Sequence, residues 1–280
     1  MKKIINIHSH IHVKTDVPAR IREWAALGCE KWCALALNSF WQPPHSVYLG
    51  NEGVLKWMRE YPDIIVGMGA IELGKEKIGT PDDVSRLRDQ GFSGLKFITP
   101  SFPYDHDLYM PLYERAQELG MPVIFHTGWV AALESSDVVE RISSDNMRPW
   151  RLDRIARSFP KLKIVGAHLG LPHADEALTL INFFPNVYFD ICGGGGQKPH
   201  VALLKKALAP FPGANMADKD ENLALRYFEK LVFGTDNPSV SVWFPAAESL
   251  MDYLQIPEKT RERFYWRNAC DIFGWKSEDV

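Results

Sequence analysis

The sequence lacks the features that define several whole classes of protein. Its 280 residues contain four cysteines, at positions 29, 33, 192 and 270, too few and too scattered for a zinc ribbon or a disulfide framework. No apolar run approaches the length of a transmembrane helix, and the first apolar stretch, IINI at 4–7, is far shorter than the apolar region of a signal peptide. We therefore expect a cytoplasmic protein without a membrane partner.

An excess of basic charge is also missing. The chain carries 32 Lys and Arg against 35 Asp and Glu, a net charge of −3, and no run of basic residues. This balance argues against a nucleic-acid partner and favours a small-molecule substrate. The length allows one large hydrophobic core, and no linker interrupts the sequence, so we expect a single domain over residues 1–280.

Eight short apolar runs recur along the chain and predict β-strands. Most of them are continuous rather than alternating, which is typical of strands covered on both faces in a parallel sheet. The predicted strands are KIINIH (3–8), CALALN (33–38), IIVGMGAI (64–71), GLKFIT (94–99), PVIFHT (122–127), KIVGAH (163–168), VYFDIC (187–192) and LVFGTD (231–236).

Helical patterns with recognisable ends separate these strands. Thr80 offers an N-cap, Pro81 takes the first helical position and Asp83 the third, and the pattern ends at Gly91. Three further helices are predicted in DLYMPLYERAQELG (107–120), PWRLDRIARSFP (149–160) and HADEALTLINFFP (173–185). Eight strand-then-helix units in this length predict an α/β fold, a (β/α)₈ TIM barrel, with a doubly wound sheet as the alternative.

Polar residues that can bind metal follow four of the predicted strands. His8 and His10 end the first strand, where alternate residues point to the same face, and the others are His126, His168 and Asp236. In a barrel all five positions lie at the carboxyl-terminal rim, where barrel active sites are built. Burying these polar side chains there costs free energy unless a ligand or metal ion binds them. Three imidazoles and one carboxylate suit a divalent ion, Zn²⁺ first and Co, Mn or Fe as alternatives.

An ordered set of motifs extends over nearly the whole chain. It consists of H-S-H at 8–10, FHTG at 125–128, FPKLKIVGAHLG at 159–170, PNVYFDI at 185–191, FGTDNP at 233–238 and RNACDIFGW at 267–275. With this set the sequence resembles the amidohydrolase superfamily. Within it, the sequence is similar to the amidohydrolase-related (amidohydrolase 2) branch, which includes aminocarboxymuconate semialdehyde decarboxylase and 2-pyrone-4,6-dicarboxylate lactonase.

The resemblance implies a metal-dependent hydrolase type of barrel with one metal ion. The ligands would be His8, His10, His126 and Asp236, and the protein would form a homodimer. Asp236 would serve as general base and then acid for a metal-activated water, and His168 would polarise the substrate or position the water. The expected reaction is hydrolysis of a small carboxylic ester, lactone or amide.

Three alternatives remain open. The same site could decarboxylate an acid without oxidation, although decarboxylases of this branch often begin the first motif with Glu where this chain has His8. Lys96, on the fourth strand, could be carboxylated and bridge two metals, as in binuclear members of the superfamily, or could instead meet acidic partners or substrate. A barrel that binds metal without catalysis is the third alternative, but it would not need His168.

Further residues are expected around the mouth of the barrel. His12 shares the parity of His8 and His10, and three aromatic residues and one cation stand in the loops: Trp41, Tyr104, Trp129 and Arg148. Aromatic walls with a cation suggest a small, carboxylated or ring-bearing substrate. Asp190, on the seventh strand, is a candidate to orient a ligand imidazole.

Overall fold

The eight predicted strands form one parallel sheet in sequence order. The structure, a computed structural model, describes residues 2–43, 46–130, 142–193, 198–209, 215, 218 and 222–278. Each strand pairs with the next in the chain, from the first to the eighth, which confirms the TIM-barrel prediction. The strands are β1 Ile4–Ser9, β2 Cys29–Leu35, β3 Ile65–Ala70, β4 Gly94–Phe97, β5 Val123–Phe125, β6 Ile164–Gly166, β7 Val187–Asp190 and β8 Leu231–Val232.

Helices surround the sheet and cover its outer face. They are α1 Val17–Ala25, α2 Asn51–Glu60, α3 Pro81–Asp89, α4 Met110–Glu118, α5 Leu152–Ser158, α6 Ala174–Phe183, α7 Lys198–Leu208, α8 Leu223–Phe228, α9 Val240–Tyr253, α10 Glu258–Glu262 and α11 Asn268–Phe273, with a π-helical turn at Arg263–Arg267. Among the described helices, none is long and apolar enough to cross a lipid bilayer.

The predicted ends of α3 follow from its capping residues. The Asp83 amide donates to Thr80 Oγ1 (3.3 Å) and the Thr80 amide donates to Asp83 Oδ2 (2.8 Å), so two free amides at the helix start are satisfied reciprocally. The other three predicted helices are also present. Two of them, α4 and α5, are preceded by a short 3₁₀ turn, at Asp107–Tyr109 and Pro149–Arg151.

All eight strands differ somewhat from their predicted bounds, and two of them, β2 and β8, differ by four residues at one end. β2 begins four residues earlier than predicted, at Cys29, because its polar residues Glu30 and Lys31 obscure the apolar pattern. β8 contains only two residues of the predicted 231–236, because the chain then leaves the extended conformation and reaches a positive φ of 61° at Asp236.

Backbone hydrogen bonds join β1 to the segment that follows β8 and so close the barrel. The Ile7 amide donates to the Phe233 carbonyl (3.1 Å), and the amides of Thr235 and Asp236 both donate to the His8 carbonyl (2.9 and 2.7 Å). The His10 amide donates back to the Asp236 carbonyl (3.2 Å). We call this contact the closure seam. It places the end of β1 directly beside Asp236.

Gly234 lies at the tightest point of the closure seam. A Cβ atom there would lie 2.8 Å from the His8 Cβ, closer than real Cβ atoms approach their neighbours, and 3.3 Å from the Cys192 sulfur, which is a tight contact. We predict that Gly234→Ala lowers the free energy of unfolding by about 1–3 kcal/mol, as overpacking does. Urea denaturation monitored by circular dichroism measures this change.

Gly74→Ala is the matched control. A Cβ atom at Gly74 meets only a carbonyl oxygen at 3.6 Å, an ordinary contact, so its effect should stay within about 0.5 kcal/mol. Equal stability of the two variants would show that the seam is not closely packed at Gly234.

Candidate metal centre

Two histidines of β1 present the same ring nitrogen to one carboxylate. His8 Nε2 lies 3.6 Å from Asp236 Oδ1, and His10 Nε2 lies 3.4 Å from the same oxygen. The other nitrogen of each ring is already engaged. His8 Nδ1–H donates to Asp190 Oδ2 (2.7 Å). His10 Nδ1–H donates to the Leu35 carbonyl (3.1 Å). A neutral imidazole has a single N–H, so Nε2 of both rings carries a lone pair.

These three atoms are therefore hydrogen-bond acceptors that face one another. His8, His10 and Asp236 form a group whose ligand atoms all lie within 4.8 Å of one another. Acceptors in such a place repel unless positive charge offsets them; Lys96 Nζ, 3.4 Å from His8 Nε2, supplies part of that charge, and a bound cation would supply the rest. Ligand atoms bound at 2.0–2.1 Å to one tetrahedral ion stand about 3.3–3.4 Å apart, so the observed spacing suits a divalent metal.

Burial keeps the imidazoles in the neutral form that binds metal. It lowers the pKa of His8 to about 3, helped by the positive charge of Lys96, and it also lowers the pKa of His10. The pKa of His126 lies well below its ordinary value, again because of burial and then because of the nearby His168. All three rings can therefore offer a lone pair at neutral pH.

Asp190 anchors the ring of His8 on the side away from Asp236. It is fully buried, and while Oδ2 holds His8, Oδ1 accepts from the His168 amide (2.8 Å), the Cys192 amide (3.2 Å) and the Cys192 thiol (3.0 Å). Burial alone would raise the pKa of Asp190, but His8, through the charge it carries when protonated and through its hydrogen bond, holds that pKa below its ordinary value. The predicted contact between Asp190 and an imidazole is thus present. Its oxygens are occupied by donors, so Asp190 orients His8 rather than binding the metal.

His126 and His168 lie beside the cluster formed by His8, His10 and Asp236. The ring centres of His168 and His8 are 5.1 Å apart, and those of His168 and His126 are 4.9 Å apart. His126 Nε2–H donates to the Trp129 carbonyl (3.2 Å), which leaves Nδ1 as its lone-pair atom. His126 therefore lines the same cavity without belonging to the compact three-residue cluster.

Lys96 approaches the cluster from β4. Its Nζ lies 3.4 Å from His8 Nε2, and only 1% of the residue is exposed. Burial lowers the pKa of this amine to about 8. The position agrees with either a supporting role or the bridging role of the binuclear alternative.

Two residues of the site hold an unusual backbone conformation. Asp236 and His168 both have a φ of 61°, a region that costs non-glycine residues roughly 1–2 kcal/mol. Leu169, which follows His168, also has a positive φ of 49°. Such strain concentrates at functional sites, where the surrounding structure imposes it. Here the closure seam and the bonds to Asp190 provide that support.

A cavity of about 550 Å³ opens above the cluster. Its polar lining consists of His10, Tyr48, His126, His168, Gly193, His200, Asp236 and Asn237. Its apolar lining has two parts. We call Leu37, Trp41, Ile98, Leu171, Pro172 and Leu203 the apolar wall, and Trp129 and Val130 the rim. Neither Lys nor Arg occurs among the lining residues that the structure describes.

Of the five residues predicted around the mouth, two line the cavity and three do not. Trp41 and Trp129 line the cavity. His12 lies just outside, where its Nε2–H donates to Asn237 Oδ1 (3.1 Å). Tyr104 is fully buried behind β5, and its hydroxyl contacts the carbonyls of Phe97 and His126.

Arg148 does not reach the cavity either. Its guanidinium is held by Glu176 and also lies 3.6 Å from Asp145. Parts of the loops after β5 and β7, residues 131–141 and 194–197, lie outside the described residues.

Four residues at the site were not predicted from the sequence. Tyr48 packs its ring against His10 (5.3 Å between centres), and Asn237 Nδ2 donates to Asp236 Oδ2 (3.2 Å). Cys192 contacts Asp190, and His200 lines the cavity from α7. Asn237 and Cys192 carried a usable signal, because each lies within two residues of a predicted site residue. Tyr48 and His200 lie in loop and helix segments without such a signal.

Comparison with known proteins places the chain in a family. The family model described as Amidohydrolase matches residues 44–275, a range that contains His126, His168 and Asp236 and begins after His8 and His10. None of the curated proteins matches the sequence.

Solved structures share the fold at low identity. A probable 2-pyrone-4,6-dicarboxylic acid hydrolase from Acinetobacter baumannii is 14% identical with a TM-score of 0.60, over 97% of this chain and 99% of that one. A 2,6-dihydroxybenzoate decarboxylase from Rhizobium is 14% identical with a TM-score of 0.63, over 98% and 99%. A dihydroxybenzoic acid decarboxylase from Polaromonas sp. JS666, with bound manganese and 2-nitroresorcinol, is 15% identical with a TM-score of 0.61, over 100% and 99%.

The role of Asp190 yields a direct prediction. Asp190→Asn replaces one acceptor oxygen by an NH₂ group. The asparagine therefore cannot accept hydrogen bonds from both the His8 ring and the backbone amides of His168 and Cys192. We expect affinity for Zn²⁺ or Mn²⁺ to fall about 10–100-fold, as for other residues that orient a metal ligand. Competition with a chromogenic chelator measures the affinity.

Asp82→Asn, at an exposed position in α3, is the control and should bind metal like the unmodified protein. Unchanged affinity in Asp190→Asn would contradict the orienting role.

Proposed function

The chain belongs to the amidohydrolase family, and from this membership and the geometry of its site we propose that it is a metal-dependent hydrolase of a small carboxylic ester, lactone or amide. One observation carries the proposal. The lone pairs of His8 and His10 converge with Asp236 at a cavity, while the far nitrogen of each ring is anchored. These residues would hold a divalent cation at the cavity.

We propose that His8, His10, His126 and Asp236 hold one divalent ion. Zn²⁺ suits this donor set best, and manganese, which the Polaromonas neighbour binds, is the alternative. When bound, the ion would supply Lewis acidity at the mouth of the barrel and lower the pKa of water there.

Asp236 is the residue proposed to move the proton. Its Oδ2 accepts from Asn237 Nδ2, which fixes the plane of the carboxylate. Oδ1 faces the histidines and is close to the cavity. The carboxylate can take a proton from a water molecule that attacks the substrate carbonyl and can return it to the leaving oxygen or nitrogen.

His168 is proposed to hold that water or the substrate oxygen. Its Nδ1–H donates to the Cys192 carbonyl (3.0 Å), so Nε2 of the neutral ring carries the lone pair. Nε2 can therefore accept a hydrogen bond from water, and it can donate to an oxyanion only after it has taken a proton. Of the two roles implied by the resemblance, this favours positioning the water over polarising the substrate.

Removing His168 should separate rate from metal binding. We predict that His168→Ala lowers kcat about 100–1,000-fold on a lactone or ester that the enzyme hydrolyses, because an oriented polar partner of the reacting oxygen is lost. Metal content per chain, measured by elemental mass spectrometry, should not change, since His168 is outside the proposed ligand set.

His106→Ala, in a loop away from the cavity, is the control and should retain kcat. Loss of metal together with activity in His168→Ala would instead make His168 a ligand.

A non-oxidative decarboxylase is the second candidate. The cavity has aromatic and apolar walls that suit a benzoate ring, and two of the similar structures are decarboxylases of dihydroxybenzoates. Carboxylation of Lys96 and a second metal would constitute a third form of the site, still with hydrolysis as its reaction.

Isotope-labelled products distinguish the two reactions. We incubate the metal-loaded enzyme with a panel of lactones, aryl esters and anilides in H₂¹⁸O, and with hydroxybenzoates carrying a ¹³C-carboxyl group. Hydrolysis places ¹⁸O in a new carboxylate and releases no ¹³CO₂, which is the expected result. Release of ¹³CO₂ without ¹⁸O incorporation would replace the hydrolase proposal by the decarboxylase.

A further inference from the structure

The cavity divides its chemistry between two sides. His10, His126, His168, Asp236 and Asn237 belong to the metal cluster or lie beside it, and Tyr48 and His200 are further polar residues of the lining, whereas the apolar wall and the rim contribute only hydrocarbon and indole surface. Trp41 is held rigidly in the wall, because its Nε1–H donates to Thr99 Oγ1 (3.2 Å) and its ring meets Phe40 edge-on (5.2 Å). Trp129 at the rim is 66% exposed. The part of a substrate that does not react would therefore contact apolar and aromatic surface.

Among the described residues, the cations near the cavity lie away from its apolar wall. Arg148 is held by Glu176, and Lys96 is buried at the cluster, with its Nζ 3.4 Å from His8 Nε2, and is absent from the described cavity lining. The formal charge among the described lining residues is the anion of Asp236. A carboxylate on the substrate body would thus lose its water without gaining a partner from these residues.

We infer that the substrate is uncharged and carries an apolar, ring-bearing body, with the reacting carbonyl directed at the cluster and the ring against the apolar wall. This inference rests on the proposed function and specifies its substrate class. It differs from the carboxylated substrate suggested by the presence of Arg148 in the sequence.

Hydrolysis of such a neutral substrate needs only water. Attack of water on the carbonyl of a lactone forms one C–O bond and breaks the ring C–O bond. The products are a carboxylate and an alcohol or phenol, and one proton is released.

A matched pair of lactones tests the substrate class. We compare 3,4-dihydrocoumarin with its 6-carboxylate on the metal-loaded enzyme. We expect kcat/KM to be at least about 100-fold higher for the neutral lactone, because an unpaired buried carboxylate is strongly disfavoured. Equal values, or a preference for the carboxylate, would overturn the inference while leaving hydrolysis intact.

A binding measurement separates this inference from the reaction itself. The corresponding lactam, 3,4-dihydroquinolin-2-one, and its 6-carboxylate are first checked for turnover, and isothermal titration calorimetry then gives their affinities. Tighter binding of the neutral lactam by at least tenfold supports the substrate class even if neither lactone is hydrolysed, a result that would count against the hydrolase. Failure of the neutral lactam to bind at millimolar concentration, or binding no tighter than its carboxylate, would overturn the substrate class.

Leu203 provides a way to reverse the preference. It lies in the apolar wall on α7 and is 51% exposed, so an arginine there can reach the cavity without burial. Leu203→Arg should raise kcat/KM for the carboxylated lactone at least tenfold relative to the neutral one. Leu108→Arg, at a leucine that is 50% exposed and outside the cavity, is the matched control and should leave the ratio unchanged. An unchanged ratio in Leu203→Arg would contradict the proposed position of the substrate body.

Discussion

The closure of the barrel between its first and last strands is the constraint on which the site depends. The His8 carbonyl accepts two amides from the segment after β8, and the Asp236 carbonyl accepts the His10 amide. These bonds fix three proposed ligand residues against one another through the main chain, before any side chain is considered. A side chain placed this way loses little conformational freedom when it binds a metal. The short β8 and the positive φ of Asp236 are consequences of this geometry.

Asp190 extends that order to the side chains. One carboxylate holds the ring of His8 with one oxygen and the backbone of His168 and Cys192 with the other. It therefore couples a proposed metal ligand to a proposed catalytic residue. Burial keeps the imidazoles neutral, and the hydrogen bonds from backbone carbonyl and carboxylate groups set which nitrogen carries the lone pair. The chemistry of the site thus depends on which atoms are already occupied as well as on which residues are present.

The sequence was sufficient to predict the barrel and the rim positions of the site. Continuous apolar runs predicted the parallel strands, and because parallel strands end at one rim, His8, His10, His126, His168 and Asp236 could be grouped before the structure was known. The loops were less predictable. Residue type suggested that Tyr104 and Arg148 would face a substrate, but burial turns Tyr104 to two backbone carbonyls and Glu176 engages Arg148.

Tyr48 and His200 illustrate the opposite limitation. They reach the cavity only through the course of a loop and the docking of a helix, and neither feature has a local sequence pattern. The hydrogen-bonding state of His168 is similar, since it depends on the distant carbonyl of Cys192. Long-range contacts of this kind decide which atoms are available for chemistry, and a single sequence does not encode them in a recognisable pattern.

The content of divalent metal per chain tests the central claim most directly. The protein is purified gently, without chelators, and measured by elemental mass spectrometry against its concentration. The geometry of His8, His10 and Asp236 predicts close to one divalent ion per chain. Absence of metal, persisting after addition of Zn²⁺ or Mn²⁺, would contradict the proposed centre and the mechanism built on it.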